Sequence, residues 1–182
     1  MTTGVCGCGF HWDVAAAGVI GQLRSFPAAY RACIDGLGTG GRLEGLRRRP
    51  APGVWSILEY TAHTVDAVEW YDRRIRLVLS VDRPSLTGFD WDAACEDRRY
   101  VDQDPESVVV RLDVVTGGLA DMLGGLGPRS WEAVGIGSDG GDRRVIDLAR
   151  RACHEERHHL HDIRRIAALP GAVPGGDRGR QP

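Results

Sequence analysis

The chain has no lysine: all 23 of its basic residues are arginine, in a sequence also rich in glycine, alanine and valine. That pattern reads as the coding bias of a high-GC genome, not as a functional signal. The 23 basic residues are set against 25 acidic ones, for a net charge of −2. Such a balance supplies no global field to attract polyanions, so a nucleic-acid partner has no electrostatic footprint here. No stretch approaches the ~20 apolar residues needed to cross a bilayer, and no basic segment is followed by an apolar run near the start. The reading is a cytoplasmic protein without a membrane partner. Cysteine is scarce, odd in number and irregular in spacing: Cys6, Cys8, Cys33, Cys95 and Cys153. In a reducing compartment these read as free thiols, which excludes a disulfide framework.

What remains is ordinary globular material. A chain of 182 residues, 42% hydrophobic and 26% charged, can bury one full core. After a Cys/Gly-rich segment over 1–13, helical spacing appears in Val19, Leu23, Phe26, Tyr30 and Ile34, with a bend expected near Pro27. Residues 36–53 carry repeated glycines, an Arg47-Arg48-Arg49 run and two prolines, and read as a connection. Because those glycines precede no strand, they make no phosphate loop. The clearest helix start is Ser56-Ile57-Leu58-Glu59, a capping box with Trp55 and Tyr60 placed to staple it. Ile57, Tyr60, Thr64, Val68, Tyr71, Ile75 and Val78 then mark a buried stripe, with the helix running to about Val81. A long irregular crossover, 82–103, is expected to help wall a pocket with aromatics such as Phe89, Trp91 and Tyr100. Asp104-Pro105-Glu106 starts a third helix that runs to about Leu126. After a turn-rich link over Gly135–Gly141, Arg143 to Leu169 is the longest helical run, and a Gly/Pro/Arg tail read as disordered follows it. Four helices without an alternating strand pattern define an all-α four-helix bundle with a long crossover connection.

The last helix contains His154-Glu155-Glu156-Arg157-His158-His159-Leu160-His161-Asp162. His154 and His158 are one turn apart, about 6 Å along the axis, so their imidazoles can share one ion. His161 continues their stripe, whereas His159 and Glu155 are turned about 100° from His154. A catalytic metal needs a third ligand from another element, and His63 is the internal histidine outside this helix. Spacing alone also allows a His-rich, solvated outer face, since the His154/His158/His161 stripe lies nearly opposite the apolar set Val145, Ala149, Ala152, Leu160 and Ile163.

The segment Trp55-Ser56-Ile57-Leu58-Glu59-Tyr60-Thr61-Ala62-His63-Thr64-Val65-Asp66, followed far downstream by His154 to Ile163, resembles the DinB-like superfamily. The N-terminal C-x-C-G-F-x-W-D stretch is similar to its actinobacterial variants. The resemblance implies a DinB-like metal-binding bundle over 1–169, with 170–182 as tail. It implies one divalent ion, Zn²⁺ foremost with Ni²⁺ or Fe²⁺ as alternatives, held by His63, His154 and His158. Some relatives replace one histidine of the last helix by glutamate, but Glu155 points away from His154 and is not taken as a ligand. Members of the superfamily include thiol-dependent S-transferases and isomerases that use mycothiol, bacillithiol or glutathione. The implied activity is therefore activation of a low-molecular-weight thiol, mycothiol for a high-GC source, for transfer to a small electrophile. A metal-dependent isomerase or tailoring enzyme working without thiol, and a non-catalytic stress-associated metal-binding bundle, are the alternatives. Homodimerisation through a bundle face is common in the family.

Around this set, Asp66 and Glu59 are candidates to orient His63, and Asp162 and His161 stand near His158. Trp70 shares the His63 side and is a candidate pocket wall. Cys6-Gly7-Cys8 departs from the C-x-x-C metal clamp, and its one-residue spacer strains two-thiolate chelation, so these cysteines read as free thiols or a lost zinc knuckle and not as a redox centre. Cys153 adjoins His154 in sequence but is rotated away along the helix, Cys33 and Cys95 lack a neighbouring base, and none of the three is read as catalytic.

Overall fold

The computed structural model describes residues 4–37, 42–88 and 90–169. Four long helices form the frame: α1 (Ala16–Asp35), α3 (Ile57–Ser80), α5 (Pro105–Gly124) and α6 (Val145–Ala167). Two short helices, α2 (Arg42–Arg47) and α4 (Trp91–Asp97), lie in the connections. α1 packs on α5 and α6, and α3 packs on the same two helices. Long helices adjacent in sequence, α1 with α3 and α5 with α6, therefore stand diagonally across the bundle. A diagonal partner cannot be reached by a two-residue turn, which accounts for the long connections.

The helix starts follow their local chemistry. Ser56 caps α3 by accepting from the Glu59 N–H at 3.2 Å, while the Glu59 carboxylate accepts from the Ser56 N–H at 2.8 Å. The Trp55 and Tyr60 rings close the staple with centroids 5.5 Å apart. Asp104 caps α5 through the Ser107 N–H at 2.9 Å, with Pro105 at the first helical position. α1 continues through Pro27. The core is filled by Leu23 and Tyr30 of α1, Val68 and Ile75 of α3, Leu112 and Leu119 of α5, and Leu148 and Ile163 of α6. The first half of α3 is buried on nearly every side, polar Glu59, His63 and Asp66 included.

Three features go beyond the sequence reading. The 36–53 connection contains α2, and the 82–103 crossover contains α4 and a 3₁₀ turn at Tyr100–Asp102. The Gly135–Gly141 link is part of a β-hairpin, β1 (Val134–Ile136) with antiparallel β2 (Asp142–Arg144). Strands of three residues are too short to show alternation, and they are held by neighbours instead: the Leu86 N–H donates to Ile136 O at 2.7 Å and the Ile136 N–H to Pro84 O at 2.8 Å. Gly135 permits this approach, because a Cβ there would meet Val78 Cγ2 at 2.8 Å and Leu86 Cδ1 at 2.9 Å. The tail expected from Gly171, and Phe89 of the crossover, lie outside the described residues. No described helix is long and apolar enough to cross a membrane.

Candidate metal centre

Two overlapping one-turn pairs on α6 face different neighbours. Glu155 and His159 face α3, where His63 meets them, and one ligand atom from each of the three lies within 4.8 Å of the others. His154 and His158, about 100° around the helix, face the N-terminal segment, where they gather with Cys6 and Cys8 within the same limit. The structure thus divides the set His63, His154 and His158 between two groups.

In the first group, Glu155 Oε2 is 3.4 Å from His159 Nε2 and 4.0 Å from His63 Nε2. On its far side His159 presents Nδ1 to Asp162 Oδ2 at 3.5 Å, the arrangement in which an outer carboxylate orients a ligating imidazole. His63 is buried, and its Nδ1 has no hydrogen-bond partner among the described residues. Burial pushes the Glu155 carboxyl upward, but the neighbouring His159 and His63 imidazoles outweigh it and hold the group well below the ordinary carboxylate range. Burial depresses His63 against the opposing pull of Glu155. Burial also depresses His159, yet Asp162 and Glu155 more than offset it and raise the imidazole.

Aromatic rings surround this group. Trp55 lies 5.0 Å and Trp91 4.9 Å from the His63 ring, and Tyr60 stacks at 5.2 Å on His159. Trp70 meets Trp91 at 5.3 Å and carries the Arg74 guanidinium over its face at 3.8 Å. The crossover therefore supplies a wall through Trp91, with Trp70 behind it.

The residues expected to orient His63 are engaged elsewhere. Glu59 is tied to Arg49, whose Nε lies 2.9 and 3.0 Å from the two carboxylate oxygens. Asp66 accepts from Tyr100 Oη and pairs with Arg98 at 2.7 Å and Arg111 at 3.7 Å. Both carboxylates pin connections onto α3. Asp162 bridges the two groups, since its Oδ2 is also 3.6 Å from His158 Nε2. His161 is exposed.

A separate groove of about 920 Å³ is lined by residues that include Trp12, Arg143, Arg144, Arg150 and Arg151; none of His63, Glu155 or His159 lines it. Its arginines are largely answered by acids, Arg143 by Asp139 at 2.5 Å, Arg144 by Asp147 at 3.0 Å and Arg150 by Asp147 at 3.7 Å. The ligating atoms of His63, Glu155 and His159 converge outside this groove.

The two imidazoles and one carboxylate suit a divalent ion. Three protein ligands leave positions open, as in catalytic rather than structural zinc sites. A helical bundle with inward ligands on facing helices is the class of protein that this fold and site define. The chain belongs to the DinB superfamily, whose sequence model matches residues 22–163. Among solved structures it is similar to YfiT from Bacillus subtilis, with 16% identity over 91% of this chain and 90% of that one and a TM-score of 0.75. YfiT is described as "a probable metal-dependent hydrolase with an unusual four-helix bundle topology". No curated protein sequence matches the chain.

Proposed function

We propose that this protein is a metal-dependent enzyme in which His63, Glu155 and His159 hold one divalent ion, Zn²⁺ foremost, and that it transfers a low-molecular-weight thiol to a small electrophile. The observation that carries the reading is the convergence of these three side chains from two packed helices. A divalent ion held there would supply a Lewis acid that lowers the pKa of a coordinated thiol or water, so that the proton passes to solvent near neutral pH. The protein's own part is positional. Glu155 stays charged at neutral pH, Asp162 stands 3.5 Å from His159 Nδ1, and Trp55, Tyr60 and Trp91 pack against the two imidazoles. In a high-GC source the thiol is mycothiol.

Hydrolysis, with water in the position the thiol would take, is the second reading, favoured by the likeness to YfiT. The test is metal content and turnover of the full chain purified without an affinity tag. His63→Ala and His159→Ala are each expected to lose one ion per chain and all turnover. Retention of that ion in both variants overturns the site. Products formed from a panel of electrophiles and esters, with and without mycothiol, bacillithiol or glutathione, separate S-transfer from hydrolysis.

A further inference from the structure

The second group on α6 has the chemistry of a closed site. We propose that Cys6, Cys8, His154 and His158 bind a second ion, a structural Zn²⁺ that clamps the N-terminal segment to α6. Two thiolates and two imidazoles are a complete tetrahedral zinc set, leaving no open position. Bond lengths of about 2.0 Å to nitrogen and 2.3 Å to sulfur require neighbouring ligand atoms to stand about 3.3–3.8 Å apart in a tetrahedron. Cys6 Sγ is 3.2 Å from His154 Nε2 and 3.8 Å from His158 Nδ1, and Cys8 Sγ lies within 4.8 Å of all three. The two Cys6–histidine separations stand close to the spacing that a zinc ion sets, and the remaining ones need close by no more than about 1.5 Å to reach it.

The one-residue spacer between the cysteines is accommodated by the backbone that carries it. Val5 and His11 pair as an antiparallel bridge. Inside it the Cys6 N–H donates to Phe10 O at 2.9 Å, and the Gly9 N–H donates to Cys6 O at 2.8 Å. Gly9 closes this turn at φ +80°, a conformation that favours glycine. A knuckle results, with both thiols brought to α6. It is seated by Arg157, whose Nε donates to Cys8 O at 3.1 Å, by buried Phe10, and by Trp12, whose ring lies 4.6 Å from His154. Gly9 fits tightly here, as a Cβ would come 3.1 Å from the Arg157 guanidinium.

The orientation of His158 points the same way. Its Nδ1 faces Cys6 while its Nε2 lies 3.6 Å from Asp162, so a carboxylate stands at the ring nitrogen left free by coordination. The cysteines fall before residue 22, where the family match begins, while His154 and His158 lie within it. These two histidines flank Glu155 and adjoin His159, so an ion here would fix the stretch of α6 that presents the catalytic group.

The test uses the untagged full chain. Elemental analysis is expected to find one zinc fewer in Cys6→Ser/Cys8→Ser than in wild type, with the ion of the His63 group retained. Cobalt-substituted wild type is expected to show near-ultraviolet thiolate-to-cobalt charge transfer that persists in His63→Ala/His159→Ala. Thiol labelling of native wild type should count two more reactive cysteines after a chelator is added. Unchanged zinc in the cysteine variant, or no thiolate band together with no chelator effect on labelling, overturns the proposal. Should the cysteine variant fail to fold, the band and the labelling of wild type decide alone. Failure of the catalytic reading would appear separately, as unchanged metal in His63→Ala/His159→Ala.

Discussion

Glu59 was expected to orient His63, and its actual bonds make a sharper prediction. Its carboxylate is 2% exposed and accepts from Arg49 and from the Ser56 N–H, while the Arg49 side chain is 49% exposed. Removing one partner of a fully buried pair costs about 3–5 kcal/mol, because the remaining charge is left uncompensated. Here water can follow the half-exposed arginine, and the Ser56 N–H persists, which lowers the expected cost of Arg49→Ala to about 2 kcal/mol. For a chain of this size that is a fall in Tm of roughly 4–8 °C. The pH dependence has a definite sign. Burial pushes the Glu59 carboxyl up, but Arg49 and Ser56 outweigh it, so its folded value lies below the ordinary 4.5. A depressed carboxylate contributes stability above its unfolded value and loses it as pH falls from there through the folded value. Urea unfolding of wild type, Arg49→Ala, Glu59→Gln and the double variant at pH 7 and at mildly acidic pH measures both effects. The single variants should be non-additive, and the Glu59→Gln profile flatter on the acid side. Costs within 0.5 kcal/mol of zero for Arg49→Ala, or parallel acid limbs, would refute the reasoning. Because His63 lies one turn beyond Glu59, a frayed start should also weaken the metal binding proposed there.

Asp162→Asn removes the charge facing both His159 and His158; affinity for each proposed ion is expected to fall about 10–100-fold, read by competition with a chromophoric chelator. Tyr100→Phe deletes the hydroxyl that donates to buried Asp66, and chemical denaturation should register a loss of about 1–3 kcal/mol with metal content intact.

Much of the frame was legible because local chemistry and tertiary structure agree. The Ser56 capping box, the Asp104-Pro105 start and the stripe from Ile57 to Val78 all lie where the sequence puts them. α2, α4 and the β-hairpin were not legible, since six- or seven-residue helices and three-residue strands have too few positions to show a period and are held by packing. Asp66 and Glu59 are buried acids in the expected places, but Arg49, which pairs with Glu59, and Arg98 and Tyr100, which meet Asp66, come from the connections and not from α3. Arg98 and Tyr100 are more than thirty residues from Asp66, and no spacing rule joins them.

The division of the histidines was within reach of the sequence through a different stripe. Leu148, Ala152, Ile163 and Ile166 are all buried on α6, and Glu155 and His159 fall between them at steps of three and four. A carboxylate and an imidazole that continue an apolar stripe are carried into the bundle, where another helix can complete their site. His154 and His158, one position earlier in each turn, are carried to the flank, and a reading based on the histidine pair alone takes that flank for solvent. The flank is instead covered by residues 6–12, a segment whose short hairpin has no helical or strand period of its own. The choice between the two one-turn pairs is therefore made by what packs against each face: α3, with His63, on one, and a cysteine-bearing knuckle on the other. Replacing Glu155 and replacing His154 should therefore lower the content of different proposed ions, read by elemental analysis, although the two residues are adjacent in the chain.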